Sequence, residues 1–196
     1  MNVLGVDFGR VIQGGADPDG GAVDTLFLGG TLEQAIASPP TPGALEALER
    51  LVGRFEGRAW IISKCSERTE RKTRAWLDHH DFYGRTGLPR GNLRFCGRRA
   101  DKAIHCAELG ITHMIDDRLD VHEAIRELVP HRYLFGPQRG PAPDWVTPTL
   151  TWAEVEAAIP VEGRARPHAR VSTSTKSRTK RAESTSVSTR VSGVTS

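Results

Sequence analysis

Four short fragments of the sequence end in residues that could together handle a phosphate group. Three are apolar runs that close on oxygen-bearing side chains, and the fourth is Lys102 at the start of a predicted helix. The three runs, with the residues that close them, are Val3–Val6 with Asp7, Trp60–Ile62 with Ser63, and Met114–Ile115 with Asp116 and Asp117. In an open parallel sheet, ligands bind outside the carboxyl ends of the strands. We therefore expect these side chains to meet at one edge of a sheet.

The acidic residues of this set predict a nucleophile and a metal site. A carboxylate such as Asp7 can attack phosphorus or bind a metal, although a strand-end Asp often only caps the next turn. The adjacent carboxylates of Asp116 and Asp117 would repel each other at a buried strand end. Mg²⁺ typically binds one or two carboxylates together with substrate phosphate and water. We interpret the pair as a Mg²⁺ site rather than as a solvated acidic turn.

The other residues of the set would hold an anion. Ser63, followed by Lys64, lies at a strand-to-helix turn, where backbone N–H groups can cradle a phosphate. Lys102 would neutralise a phosphoryl oxygen and hold the charge of Asp7. A loop serine and a surface lysine are common without such roles. However, residues 1–161 contain only three lysines, Lys64, Lys72 and Lys102, and two of them lie at these turns.

The elements that must position these residues follow from the alternation of apolar runs and amphipathic segments. Over residues 1–160 this alternation predicts an α/β fold, with a Rossmann-like parallel sheet of about five strands and helices on both faces. The predicted strands are Val3–Val6, Ala59–Ile62, Leu93–Cys96, Thr112–Ile115 and Arg132–Phe135. The predicted helices are Thr31–Ala37, a segment capped by Thr41 and ended at Gly57, Ser66–His79, Asp101–Leu109, Val121–Leu128 and Thr151–Ile159. A turn-rich stretch between Val11–Ile12 and Val23–Leu28 predicts a flap hairpin around residues 11–28.

Charge and composition divide the chain into two regions. Residues 1–161 carry 19 Lys and Arg against 22 Asp and Glu, whereas residues 162–196 carry 8 against 2. The positive charge therefore belongs to a Ser- and Thr-rich tail, residues 161–196, which is predicted to be disordered. This distribution gives no reason to expect a nucleic-acid surface on the domain. The three cysteines contain no CxxC pair and no run is long enough for a membrane span, so we expect a soluble cytoplasmic protein without a membrane partner.

The four fragments, in this order and strand context, resemble the motifs of the haloacid dehalogenase-like (HAD) superfamily. Those motifs are a strand ending in Asp-x-Asp-Gly-Thr/Val, a strand ending in Ser or Thr, a Lys, and a strand ending in an acidic pair or Asp-x-x-x-Asp. Asp7, Ser63 and Lys102 fit the first three, and Asp116 fits the fourth with either Asp117 or Asp120. The resemblance covers roughly residues 1–160, and the predicted hairpin matches the family's flap.

The resemblance implies a Mg²⁺-dependent phosphohydrolase. Asp7 would attack phosphorus and form an aspartyl-phosphate, while Ser63 and Lys102 hold the phosphoryl group; Lys64 would help to bind it. The implied metal ligands are Asp7, the carbonyl of Gly9, Asp116 and Asp117. No segment of domain size lies in the flap or after the third strand, so the protein resembles capless or minimally capped members. An open site would take a phosphorylated small molecule or nucleotide, or be closed by a second copy in a homodimer.

One departure from the family pattern leaves three functional hypotheses open. Phosphatases of the family carry a second Asp two residues after the nucleophile as general acid and base, and this chain has Gly9 there. General acid–base help is worth about 10²–10⁴-fold in rate. The chain could be a phosphatase that uses Asp19 or Asp24 of the flap as the acid. It could also be a phosphatase whose substrate has a good leaving group and needs no acid. It could instead be a weak or inactive phosphate-binding protein, or it could perform dehalogenase or phosphonatase chemistry, which also lacks that Asp.

Two features beside Ser63 have alternative interpretations. The basic residues of the following helix, Arg68, Arg71, Lys72 and Arg74, could steer an anionic substrate, but they alternate with glutamates as a solvated charged face does. Cys65 could have a lowered pKa next to Lys64, or it could be an unreactive buried thiol.

Overall fold

The computed structural model describes residues 1–14 and 30–159, and its sheet has six parallel strands. The strands are β1 Leu4–Val6, β2 Ala59–Lys64, β3 Leu93–Cys96, β4 His113–Asp116, β5 His131–Phe135 and β6 Thr147–Thr149. Their order across the sheet is β3-β2-β1-β4-β5-β6. The helices are α1 Leu32–Ile36, α2 Ala44–Arg54, α3 Glu67–His79, α4 Phe82–Thr86, α5 Lys102–Leu109, α6 Leu119–Ala124 and α7 Trp152–Ala158. The predicted α/β class, with a parallel sheet flanked by helices, is confirmed. Within the described ranges, no helix is long and apolar enough to cross a membrane.

The register of the three central strands brings their carboxyl ends level. Val6 of β1 pairs with Ile61 of β2 on one side and with Ile115 of β4 on the other. The backbone N–H of Asp7 then donates to the carbonyl of Ile115 at 2.9 Å, which extends the pairing by one step. The residues that follow these strands therefore lie at one edge of the sheet, as the sequence predicted.

Two apolar cores cover the two faces of the sheet. Alternating strand residues point to opposite faces, so Ile61 packs into the core beneath α2, α3 and α7, whereas Ile62 packs into the one beneath α5. Gly5 is on the second face, where an added Cβ would lie 2.7 Å from the sulfur of Met114. A larger residue at this point of β1 would force the Met114 side chain to shift.

The sequence misplaced several element boundaries and missed two elements. The short helix α4 and the edge strand β6 were not predicted, so the sheet has six strands rather than about five. Thr41 does not cap α2, because the chain first turns through Gly43 with φ +77° and the helix begins at Ala44. Helix α6 starts at Leu119 and ends at Ala124, four residues before the predicted end at Leu128.

The segment that follows Asp7 also differs from the prediction. Val11 and Ile12 are buried in a tight turn rather than in a strand, because the carbonyl of Phe8 accepts hydrogen bonds from the N–H groups of both Ile12 and Gln13. The rest of the predicted flap hairpin, residues 15–29, lies outside the described residues, and so do the predicted acids Asp19 and Asp24. The predicted tail lies outside them as well.

Candidate active site

Lys102 is buried between two carboxylates at the carboxyl edge of the sheet. Its Nζ lies 2.7 Å from Oδ2 of Asp116, to which it donates a hydrogen bond, and 2.8 Å from Oδ1 of Asp7. The contact with Asp7 is an ion pair without hydrogen-bond alignment, since that oxygen has no hydrogen-bond partner. Burial alone would lower the pKa of Lys102, but the carboxylates of Asp116 and Asp7 raise it above its usual range. The lysine is therefore a permanent cation that joins β1 to β4.

Three carboxylates converge at this edge. Asp7, Asp116 and Asp117 are buried, and each offers an oxygen within 4.8 Å of the oxygens offered by the others. Burial, together with repulsion from neighbouring carboxylates, raises the pKa of both Asp116 and Asp117. Oδ2 of Asp117 is buried without a hydrogen bond. Lys102 contacts two of these carboxylates and Arg10 approaches the third. Three buried carboxylates with an unsatisfied oxygen fit a divalent cation that prefers oxygen ligands.

Neighbouring polar groups fix the conformation of Asp116. The N–H of Arg118 donates to Oδ1 of Asp116 at 2.9 Å, so both carboxylate oxygens have partners. The imidazole Nε2 of His122, in α6, lies 3.0 Å from the Asp116 carbonyl. Burial lowers the pKa of His122 to about 4, so the ring is neutral and donates this bond. Sequence reasoning gave His122 no role, because a side chain that supports a backbone carbonyl leaves no spacing signal.

The turn after Asp7 presents Gly9 and Arg10 to the site. Arg10 has φ +63°, a left-handed conformation that is unusual for a residue with a Cβ, and its N–H donates to the Gln13 carbonyl at 2.8 Å. Its Nε lies 3.3 Å from Oδ2 of Asp117. The indole of Trp152, in α7, donates to the carbonyl of Val11 at 3.0 Å and anchors the turn from the core side.

An open cleft of about 400 Å³ lies over these residues. It is lined by Asp7, Phe8, Gly9, Arg10, Ser63, Lys64, Cys65, Ser66, Thr69, Thr73, Arg99, Lys102, Asp117 and Arg118. Ser63 is buried at the end of β2, whereas Lys64 is exposed. Helix α3 begins at this wall, with Ser66 as its N-cap. The positive end of the α3 dipole therefore faces the cleft together with the Ser63 hydroxyl, which suits a bound anion.

Three arginines line the cleft together, a grouping that the sequence did not predict although Arg99 was one possible contact for an anionic substrate. They are Arg10 after β1, Arg99 before α5 and Arg118 after β4. Each lies within three residues of a predicted site residue, which is the only signal that the sequence offered. Arg99 and Arg118 both approach the carboxylate of Asp120, each at 3.5 Å. This exceeds an ordinary hydrogen-bond length of about 2.7–3.2 Å, so neither guanidinium is held tightly.

Neither the basic residues of α3 nor the thiol of Cys65 takes part in the site. Lys72 does not steer substrate, because it is buried and its Nζ donates to the Gly30 carbonyl at 2.7 Å, and Arg74 is paired with Glu70. Neither they nor Arg68 and Arg71 line the cleft. The pKa of Cys65 is not lowered, since burial raises it to about 11. Cys65 is therefore a thiol and not a nucleophilic thiolate near neutral pH.

In the part of the chain that the structure describes, the cleft offers no proton donor that is free of another proposed role. Among the described lining residues, Asp7 and Asp117 are the only carboxylic acids, and none is a histidine. Asp117 approaches Arg10 and belongs to the acidic trio, and Asp7 is the predicted nucleophile. Gly9, at the position where an acid was expected from the family pattern, offers only its backbone.

Comparison with known proteins relates the chain to others by structure alone. No protein-family model matches the sequence, and no curated protein matches it. D,D-heptose 1,7-bisphosphate phosphatase from Burkholderia thailandensis superposes with a TM-score of 0.51 at 13% identity, covering 80% of this chain and 97% of that one. A haloacid dehalogenase-like hydrolase from Burkholderia xenovorans LB400 superposes with a TM-score of 0.52 at 12% identity, covering 79% and 94%.

Proposed function

Since the chain has the fold of the haloacid dehalogenase-like hydrolases, we propose that it is a Mg²⁺-dependent phosphohydrolase with Asp7 as its nucleophile. The observation that carries the proposal is the buried Lys102, which contacts Asp7 and Asp116 at the carboxyl edge of the sheet. Burying a lysine costs desolvation free energy unless carboxylates of opposite charge are paired with it. A lysine fixed beside a nucleophilic carboxylate is suited to receive the charge of a phosphoryl group.

Each residue of the site has a role in this reaction. A carboxylate oxygen of Asp7 attacks phosphorus in line with the leaving oxygen, and an aspartyl-phosphate forms. Lys102 and the Ser63 hydroxyl hold the phosphoryl oxygens, and the positive end of α3 stabilises their charge. Lys64 binds the substrate from the exposed wall of the cleft. Water then hydrolyses the aspartyl-phosphate and restores Asp7.

Asp7, Asp116, Asp117 and the carbonyl of Gly9 would hold the Mg²⁺. The first three offer mutually close oxygens, and Gly9 lines the cleft beside them. When bound, the cation neutralises phosphate charge and orients the transferring group. The acidic trio also argues against metal-independent dehalogenase chemistry, which has no need for three carboxylates at one point.

A second candidate is a phosphate- or nucleotide-binding protein with little turnover. The absence of a proton donor from the described lining residues favours it, because the elements that bind an anion are complete without that donor. Ser63, Lys102 and the start of α3 would bind a phosphate whether or not Asp7 attacks it.

Phosphate release from p-nitrophenyl phosphate with Mg²⁺ separates the two candidates. An enzyme should turn over, and Asp7→Asn should abolish turnover while phosphate still raises the melting temperature of the variant, because Ser63, Lys102 and the start of α3 remain to bind it. Lys64→Gln should raise KM more than it lowers kcat, because Lys64 binds substrate without contacting the nucleophile. If the parent protein shows no turnover on aryl phosphates, nucleotides or sugar phosphates but is stabilised by phosphate with Mg²⁺, the binding function replaces the enzymatic one.

A further inference from the structure

We propose that the substrates of this site are phosphoanhydrides, in which the leaving group is itself a phosphate, rather than phosphate esters of ordinary alcohols. The inference rests on the proposed phosphohydrolase function and narrows its substrate class. Two independent features of the cleft support it. The described lining residues provide no uncommitted proton donor for a leaving alcohol, and a set of arginines is suited to a second phosphate.

The first feature concerns the leaving group. An alkoxide is a poor leaving group and needs a proton from a positioned acid as the bond breaks. Gly9 cannot supply one, and the described residues lining the cleft include no carboxyl group other than Asp7 and Asp117. A phosphate leaving group has its second pKa at about 6, so it departs as a stable anion near neutral pH without protonation. Among the described residues, the lining therefore suits cleavage of a P–O–P bridge better than cleavage of an alcohol ester, because only the ester needs a proton for its leaving group.

The second feature is the positive charge that remains after the nucleophile and metal residues are paired. Lys102 is matched by Asp7 and Asp116, and Arg10 by Asp117. Arg99 and Arg118 share the single carboxylate of Asp120 at 3.5 Å each, so together they carry an unmatched charge. The exposed ammonium of Lys64 adds a further positive charge to the lining of the cleft.

The two loosely held arginines are well placed to receive that second phosphate. They lie on the loops before α5 and after β4, on either side of Lys102 and Asp117 in sequence, and both line the same cleft as Asp7. The side chain of Arg118 is 41% exposed and that of Arg99 is 46% exposed, so both can turn toward a ligand. A guanidinium fork binds two phosphate oxygens at once, which a lysine cannot do.

The balanced reaction requires no further co-reactant besides water. An oxygen of Asp7 forms a bond to the terminal phosphorus as the bond from that phosphorus to the bridging oxygen breaks. The bridging oxygen keeps the electron pair and leaves with the second phosphate, whose charge meets Arg99 and Arg118. Water then attacks the aspartyl-phosphate, the aspartyl oxygen departs as carboxylate, and one proton of the water passes to solvent.

The test compares matched substrates on the full-length protein with Mg²⁺. We expect kcat/KM for phosphate release from ADP to exceed that from AMP by about 100-fold or more, the usual worth of an acid that only AMP would need. Inorganic pyrophosphate, run in parallel, shows whether a nucleoside is required. Equal or faster release from AMP would overturn the anhydride inference and leave the phosphohydrolase function standing. Loss of AMP turnover in Asp19→Asn or Asp24→Asn would likewise count against it, because a flap acid would then serve alcohol leaving groups.

Arginine variants test the second phosphate site. Arg99→Gln and Arg118→Gln should each raise KM for ADP by about tenfold and affect KM for p-nitrophenyl phosphate less. Arg90→Gln is the control: it also breaks an exposed ion pair, with Asp78, but it precedes β3 at the opposite edge of the sheet. If KM rose equally for ADP and for p-nitrophenyl phosphate, a role of these arginines in holding the leaving phosphate would be contradicted.

A binding measurement separates failure of this inference from failure of the proposed function. In Asp7→Asn with Mg²⁺, calorimetry should find pyrophosphate bound at least tenfold more tightly than inorganic phosphate, and Arg99→Gln added to that variant should remove most of the preference. If no substrate is turned over yet the preference is present, the phosphohydrolase function fails while recognition of a diphosphate stands. If the preference is absent, the second phosphate site is wrong whatever the turnover.

Discussion

The indole of Trp152 donates a hydrogen bond to the carbonyl of Val11 at 3.0 Å and thereby joins α7 to the turn that follows the predicted nucleophile. The bond spans 141 positions of sequence and is buried. It stabilises a turn that contains Arg10 in a left-handed conformation, and such conformations persist only where surrounding contacts enforce them. The geometry of Gly9 and Arg10 therefore depends on a residue from the far end of the domain.

Removing this bond should affect both stability and catalysis. Trp152→Phe keeps the buried ring but leaves the Val11 carbonyl without its donor, so we expect a loss of about 1–3 kcal/mol in the free energy of unfolding. Urea denaturation measures this loss. The rate of phosphate release should fall as well, because the turn beside Asp7 loses its anchor. Thr86→Val, which removes a buried side-chain bond to the Phe82 carbonyl in α4, is the control and should lose stability with a smaller effect on rate. Full activity in a destabilised Trp152→Phe would refute the link.

Lys102 should be essential to the fold as well as to the reaction. Lys102→Met leaves Asp7 and Asp116 facing each other without their cation, and breaking a buried ion pair costs about 3–5 kcal/mol. Adding Asp116→Asn removes one of the two carboxylates that have lost their cation, so it should restore part of that stability. Chemical denaturation of the two single variants and the double variant gives the coupling between them. Additive losses would mean that the two side chains do not interact as the structure indicates.

The positions of Asp7, Ser63 and Asp116 were predictable because each is at the carboxyl end of a buried strand, and parallel strands bring these ends to one edge. Asp7, Ser63 and Asp116 lie where the sequence predicted for that reason, and Lys102 meets them from the start of α5. Strand β6 was not predictable in the same way. Its Thr-Pro-Thr sequence has no apolar run, and a proline is tolerated there because the strand is at the edge of the sheet.

Side-chain environment was harder to predict than position. Lys72 belongs to a helix rich in exposed charge, yet its ammonium is buried against the Gly30 carbonyl, a contact 42 residues away that only the packed structure reveals. The sharing of Asp120 by Arg99 and Arg118 likewise depends on how two loops approach each other. The helix start at Ala44 was missed because the left-handed turn at Gly43 competes with the apparent cap at Thr41.

The acidic trio predicts an unusual response to neutralising one of its members. Asp117→Asn relieves repulsion among three buried carboxylates, so the variant without metal should be as stable as the parent or more stable by about 1 kcal/mol. The same change should remove most of the increase in melting temperature that Mg²⁺ gives the parent, because an oxygen ligand is lost. Thermal denaturation with EDTA and with Mg²⁺ measures both effects. Asp120→Asn, outside the trio, is the control and should keep the Mg²⁺ response. An Asp117→Asn protein that is still stabilised normally by Mg²⁺ would exclude Asp117 as a ligand.

The buried imidazole of His113 should make the protein sensitive to mild acid. Burial, together with the neighbouring His131, lowers the pKa of His113 to about 4, from about 6.5 in an unfolded chain. Between these two values the unfolded state binds more protons than the folded state, so the stability that His113 provides is complete above pH 6.5 and is lost as the pH falls toward 4. The loss should reach roughly 2–3 kcal/mol, and part of the total acid effect will come from His122, whose pKa is also lowered to about 4. The variant His113→Phe tests this prediction, since it keeps an aromatic ring against Tyr133. Its free energy of unfolding, measured by urea denaturation from pH 7.5 to 4.5, should fall less toward acid pH than that of the parent. Replacing the exposed His79 with Gln should leave that profile as in the parent, and an unchanged profile in His113→Phe would show that His113 is not the group that titrates.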